Sequence, residues 1–347
     1  PRRRRRHPSG THRLNGMRRT SAVLSTAALI GVALVGCAPA GTAGASCDRV
    51  ADSDPQTMSQ IEVSGSVETE PTVDVRTPFV TASDAHADIE RGDGPSITDL
   101  DQPAVLDITL IDGESGSKLL GTAYSGDVSG VSPLSGWTDQ FPAFEDALLC
   151  ATEGSRIAVA ISQDGVTEET RAMYAQAGLP EEGSLIAVID VRKVLPRAAS
   201  GQVQFNEGLG LPTVVRTPDG VPGIIVPDAT PPSEVVVQTL IKGDGPVLGT
   251  DEAAVVHYTG VTWAEREVFD SSWQGEPPTP VTLAPSQVVP GFAQALEGQT
   301  IGSQVMVVIP PDEGYRDQAQ GAIPANSTLV FVIDILGSAP LSAVPAQ

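Results

Sequence analysis

The residues best equipped for chemistry lie in the C-terminal third, where 255–260 reads VVHYTG and 269–272 reads FDSS. Tyr258 and Phe269 offer two aromatic faces around a turn, and Asp270 sets a carboxylate beside the second ring. Aromatic walls with one polar handle make a small apolar pocket that binds and orients a ligand. The same rings would equally suit an ordinary strand core, since aromatics on strands are commonly buried. Of four histidines, His7 and His12 precede the first methionine, Met17, which leaves His86 and His257. With three cysteines in the whole chain, that inventory builds neither a metal site nor a Cys/His nucleophile pair at usual spacings. The expectation is a pocket that works without cofactor or metal.

The elements that would hold these residues occur twice. ERGDGP (90–95) recurs as IKGDGP (241–246), and AVLDIT (104–109) as AVVHYT (254–259). FPAFEDALLCATEGSRIAVAI (141–161) matches VPGFAQALEGQTIGSQVMVVI (289–309) without a gap, and SLIAVIDV (184–191) matches TLVFVIDI (328–335). PTV stands at the start of both copies, at Pro71 and Pro212. A chain of 347 residues exceeds one ordinary core, so two homologous domains are expected, 71–195 and 212–338, with a linker at 196–211 and a tail at 339–347. In the second copy Phe292, Ala295 and Leu296 share one helical face, and Gly298 is placed to end that helix. Residues 305–309 and 329–336 are β-branched or apolar at nearly every position, as in strands covered on both faces. One short helix against an antiparallel sheet is an α+β arrangement.

The second copy carries GDGP from Gly243, VHYTG from Val256, FDSS from Phe269, QVVPGF from Gln287, ALEGQTIGS from Ala295, IPPDEGY from Ile309 and IPANSTLVFVIDIL from Ile323. In that order and spacing it resembles the FKBP-type peptidyl-prolyl cis-trans isomerases. The resemblance implies a site of Tyr258, Phe269 and Asp270, a wall of Val288 and Val289, and Phe292 on the floor where many members have Trp. Tyr315 would touch a substrate carbonyl, Ile323 would lie over the pocket, Phe331 would close it from the last strand, and the backbone N–H of Val289 would donate. The implied substrate is an X-Pro segment. Thr279 stands where the family has an aromatic, and Arg316 where glycine is usual. The first copy keeps the frame, including Ala147, Gly154, Ser155 and Asp190, but has Ile108, about Leu120, about Gly121 and Ala187 in place of Tyr258, Phe269, Asp270 and Phe331. It is expected to be a non-catalytic, FKBP-like domain.

Residues 1–36 hold eight arginines and no acid, so the remainder carries 13 basic against 43 acidic residues, a net charge of −30. Nucleic acid and anionic lipid headgroups are poor partners for such a surface. Residues 1–16 read as an overrun ahead of the true start. From Met17, two arginines, an apolar run at 22–35 and LVGC ending at Cys37 resemble a bacterial lipoprotein signal peptide (17–36), with Cys37 lipidated. A transmembrane helix needs about 20 apolar residues, more than this run supplies, and ordinary cleavage near Ala38–Ala40 is the other alternative. Residues 37–70, rich in Ala, Gly, Ser, Thr and acids, read as a flexible spacer. Outside the cytoplasm Cys47 and Cys150 would form a disulfide, with two buried free thiols as the alternative. The leading expectation is an extracytoplasmic, lipid-anchored prolyl isomerase acting on exported proteins. The alternatives are a non-catalytic lipoprotein that binds proline segments or envelope partners, and a transporter's solute-binding lipoprotein, disfavoured because the repeat lacks alternating β/α lobes.

Overall fold

Two sheets of the same strand order account for both copies of the sequence repeat. The computed structural model describes residues 47–125, 130–175, 180, 182–206 and 208–341, all within one structural unit; the expected overrun, signal peptide and Cys37 lie outside the described residues. The first half opens with helix α1 (Pro55–Met58), strands β1 (Ile61–Ser64), β2 (Thr72–Val75), β3 (Ala85–Glu90), β4 (Pro103–Asp112), β5 (Lys118–Gly121) and β6 (Ser132–Pro133). Helices α2 (Ser135–Thr138) and α3 (Phe144–Leu148), strand β7 (Arg156–Ile161), helix α4 (Glu168–Tyr174) and strand β8 (Leu185–Val194) complete it. The second half contains β9 (Gln202–Val203), β10 (Thr213–Arg216), β11 (Pro222–Ile225), β12 (Val236–Lys242), β13 (Glu252–Thr262), β14 (Val268–Ser271), β15 (Val281–Leu283), helix α5 (Pro290–Leu296), β16 (Gln304–Ile309) and β17 (Leu329–Pro340). The sheets run β5-β4-β8-β7-β3 and β14-β13-β17-β16-β12-β9, antiparallel throughout, with β6 and β15 as short extra partners of β4 and β13.

Each sheet is buried on both faces, which is why its central strands are apolar at successive positions. In the second half Val305, Val307, Ile309, Phe331, Ile333 and Ile335 face α5, while Met306, Val308, Val330 and Val332 face the β10–β11 hairpin through Val214, Ile224 and Val226. The first half repeats this, with Ile157, Val159, Ala187 and Ile189 on the α3 side and Ala158, Ala160 and Ile186 under Met58, Ile61, Val73 and Val75. Burying a Val, Leu, Ile or Met side chain is worth about 1.5–3 kcal/mol, so the second face contributes heavily.

That second face overturns the expected flexible spacer over its described part. Residues 55–64 form α1 and β1 and pair with β2, and Asp54 caps α1 by accepting from the backbone N–H groups of Gln56 and Thr57. Three apolar residues, Met58, Ile61 and Val63, are too few to stand out in composition, yet they cover an apolar sheet face. The domain boundary at 71 therefore cuts a hairpin. The expected linker also supplies structure: β9 joins the edge of the second sheet, and the Ser200 N–H donates to Gly302 O. β17 likewise runs into the expected tail as far as Pro340.

Buried polar staples tie the covers down. Arg156 makes paired bonds to Asp190 (2.7 and 2.8 Å) and donates to Gly65 O and Thr69 O in the β1–β2 turn, while Tyr124 donates to Asp190 Oδ2, the oxygen that Arg156 Nη2 also meets. At the equivalent place in the second half, Asp334 accepts from Gln304 and from the Ala199 N–H. Cys47 and Cys150 are joined as a disulfide, and Arg49 alongside caps the C-terminal end of α3 by donating to Ala147 O and Leu149 O. The halves meet where Leu195 and Val131 pack on Val255 and Leu336. A Cβ on Gly337 would lie 2.6 Å from Leu195 Cδ2, so glycine permits that approach.

Candidate active site

β13 carries Tyr258 and Gly260 opposite Ile333 and Phe331 of β17, and β14 places Asp270 opposite Gly260. Phe331 is the hub. Its ring meets Phe292 at 5.2 Å and Phe269 at 5.4 Å, both edge to face, and Tyr258 at 6.1 Å; Tyr258 also stands edge-on to Phe292 at 6.1 Å. Edge-to-face contacts at these distances are favourable and fix the rings at angles to one another. Phe292 and Phe331 are buried, Tyr258 and Phe269 half-buried, and Ile323 is buried in the same apolar cluster. Val288, Val289 and Tyr315 pack on it as half-buried residues. All nine expected site residues thus converge: eight in the cluster and its rim, and Asp270 at its edge.

The polar groups are few and oriented. The Tyr258 hydroxyl donates to Asp270 Oδ2, and burial, reinforced by that bond and by the carboxylate's charge, pushes the phenol well above its ordinary pKa. Tyr258 therefore keeps its proton and is a fixed hydrogen-bond donor to Asp270. Its backbone N–H donates to Ser272 Oγ at 2.9 Å, and the same hydroxyl lies 2.9 Å from His257 Nδ1. The His257 ring stacks on Trp273 at 4.1 Å, and burial holds its pKa down at about 4, so it stays neutral at ordinary pH. The Tyr315 hydroxyl and the Val289 N–H have no hydrogen-bond partner among the described residues. Those two donors are what remains to meet a carbonyl entering the pocket.

Gly260 and Ser272 are site residues that sequence reasoning did not single out. A Cβ on Gly260 would lie 2.5 Å from Phe269 and 2.8 Å from Phe331, so the rings rest on bare backbone. The only signal was glycine two places after Tyr258, within a motif read for its aromatics. Thr279, at the departure from the family pattern, is exposed and adds no wall. Arg316 adopts φ 56°, a left-handed conformation that favours glycine, and is held by its N–H to Pro311 O and by Asn326 N–H to its carbonyl.

The register corrects the expected correspondence in the first half. Thr109 pairs with Gly121 and Leu110 with Leu120, as Thr259 pairs with Ser271 and Gly260 with Asp270. Leu119 therefore stands for Phe269 and Leu120 for Asp270, one residue earlier than expected. Both strands carry a bulge at this point, which hides the count in sequence. Ile108 and Ala187 match Tyr258 and Phe331 as expected, and Leu110 replaces Gly260.

A family model described as FKBP-type peptidyl-prolyl cis-trans isomerase matches residues 247–336. The FK506-binding protein of Streptomyces anulatus is 32% identical over 117 residues, which covers 33% of this chain and 94% of that protein. The FK506-binding protein 2B of Rhizopus delemar is 41% identical over 97 residues, covering 26% of this chain and 46% of that one. Among solved structures, a peptidyl-prolyl cis-trans isomerase from Pseudomonas syringae pv. tomato is 26% identical, with 30% of this chain and 75% of that chain covered and a TM-score of 0.27. The chain belongs to the FKBP family, and its activity is that of a peptidyl-prolyl cis-trans isomerase.

Proposed function

We propose that this isomerase acts on X-Pro bonds of exported polypeptides outside the cytoplasm, anchored by lipid at Cys37, and that its site is the ring cluster around Phe331. The observation that carries the site is the pairing of four edge-to-face or tilted rings with two unpartnered donors, Tyr315 and the Val289 N–H. Rotation about the amide faces a barrier of about 18–20 kcal/mol and breaks no bond. A twisted amide loses its resonance and its charge separation, so a water-poor aromatic cavity favours it over the planar form. Phe331, Phe269 and Phe292 would enclose the proline ring, Ile323 would cover it, and the two donors would hold carbonyls still while the bond turns. Asp270 keeps Tyr258 in place by accepting its hydroxyl hydrogen bond.

The disulfide between Cys47 and Cys150 supports residence in an oxidising compartment, and the LVGC stretch supports the anchor. The first half lacks the rings and the polar edge, and we assign it no isomerase activity. The test is isomerisation of a short X-Pro peptide by the full chain beside Phe331→Ala. A loss of kcat/KM of about a hundredfold with the sheet intact, corresponding to about 2.7 kcal/mol, is the expected result. A folded wild-type chain without acceleration would favour a proline-segment binding module. Release of a Cys37→Ala chain from cell membranes tests the anchor.

A further inference from the structure

Beside the far end of α5 lies a second cleft, of about 260 Å³, that the aromatic pocket does not use. Its floor is Leu248, Ala254, Leu283 and Leu296, its near wall is Ala293, and Glu252 and Glu297 stand at its edge. Glu252 is occupied, accepting from the Gly249 N–H and from Ser338. Glu297 is exposed and takes part in no ion pair among the described residues. The carbonyls of Ala295 and Glu297, at the end of α5, likewise accept no hydrogen bond among the described residues.

The first half shows what such a helix end accepts. There the equivalent carbonyls, Ala147 O and Leu149 O, are both capped by Arg49, which reaches them from a coil stretch of the chain itself near Cys47. The corresponding end of α5 is bare, negative in charge, and bordered by an apolar cleft. It is also continuous with the isomerase site: α5 supplies Phe292 to one and Ala293 and Leu296 to the other, and β13 passes from Tyr258 to Ala254 beneath both. Four residues of strand span about 13 Å, the reach of about four residues of an extended peptide.

Resting on the reading of the ring cluster as the isomerase site, we infer that this cleft is a second subsite for the same client. It takes an apolar side chain about four residues from the proline, followed by a lysine or arginine that meets Glu297 and the α5 carbonyls. Clients are then read at two points, and segments pairing a proline with an apolar-basic step at that spacing are preferred.

The experiment uses the full chain and twelve-residue peptides with a central Ala-Pro and Leu-Lys, Leu-Gln or Ala-Gln whose first residue lies four residues before or after the proline. In one of the two placements Leu-Lys should raise kcat/KM about tenfold, the scale expected for covering most of a leucine side chain. Ala293→Phe fills the cleft and should abolish that advantage while leaving the rate on a four-residue substrate within about twofold, which also shows that the variant is folded. Glu297→Lys should lower the rate on Leu-Lys but not on Leu-Gln. Equal rates for Leu-Lys and Ala-Gln in both placements would overturn the inference, as would a preference that survives Ala293→Phe. Binding is read independently through the amide resonances of Gly249 and Gly298, which Leu-Lys peptides should shift. If the short substrate is not turned over, the isomerase reading fails, and those shifts alone decide the cleft.

Discussion

β4 and β13 follow the same course between the same neighbours, yet one carries Ile108 and Leu110 where the other carries Tyr258 and Gly260. The consequences differ in kind. Leu110 is fully buried and, with Phe141 and Phe144 stacked at 5.0 Å, fills the space under the sheet. At Gly260 no side chain enters, and Phe269 and Phe331 tilt into the gap. The shared frame of strand order, Ser155/Ser303 and Asp190/Asp334 is indifferent to this choice. Whether a half of this molecule packs a solid core or a cluster of angled rings turns on a few positions facing one side of the sheet.

The largest expected effect separates the halves by stability. Arg156→Met leaves Asp190 buried without its ion-pair partner and releases the β1–β2 turn, at a cost of about 3–5 kcal/mol. Amide hydrogen exchange should accelerate in β3, β7 and β8, while β16, β17 and the isomerase rate stay as they were. Parallel loss of both would mean that the halves do not act separately. Cys47→Ser comes next: opening a closure with a sequence separation of 103 residues should cost about 2–4 kcal/mol, again in the first half. Thermal melts with and without reductant check it, the wild type under reduction coinciding with the variant.

A third contrast is set by pH. At the place of His257 the first half has Asp107, which accepts from Thr122 at 2.6 Å. His257 has its pKa lowered from 6.5 to about 4 by burial, so the unfolded chain binds the extra proton first. Its contribution is complete above pH 6.5 and is lost as pH falls towards 4, by about 3 kcal/mol. Melts of wild type against His257→Asn between pH 4 and pH 8 should converge in acid. A constant gap would show that His257 does not carry the dependence.

The sheet and helix of each half were readable from the sequence because both faces of the central strands demand apolar residues, and the repeat printed that demand twice. The nine residues expected at the site were proposed for a different reason: their types recur at a family spacing. What could not be read was cover. Met58 and Ile61 look incidental until a sheet face needs them, and the PTV shared by Pro71 and Pro212 hides that β2 pairs backward with β1 whereas β10 pairs forward with β11. Gly260 escaped because its contribution is an absence of side chain, which only the neighbouring rings reveal.

The smallest expected effect is also the most direct probe of how the pocket works. If enclosure by rings supplies most of the catalysis, deleting one oriented donor should matter little beside deleting a wall. Tyr315→Phe keeps the ring against the cluster and removes only the hydroxyl, so its cost is that of one neutral hydrogen bond, about 1 kcal/mol or a fivefold fall in kcat/KM. The fall should lie in kcat more than in KM, since a donor that steadies the carbonyl during rotation is used more in the twisted state than in the planar one. A loss as large as that of Phe331→Ala would shift the weight of catalysis from the aromatic enclosure to the polar rim. The feature distinguishing the second half from the first would then be its donors more than its rings.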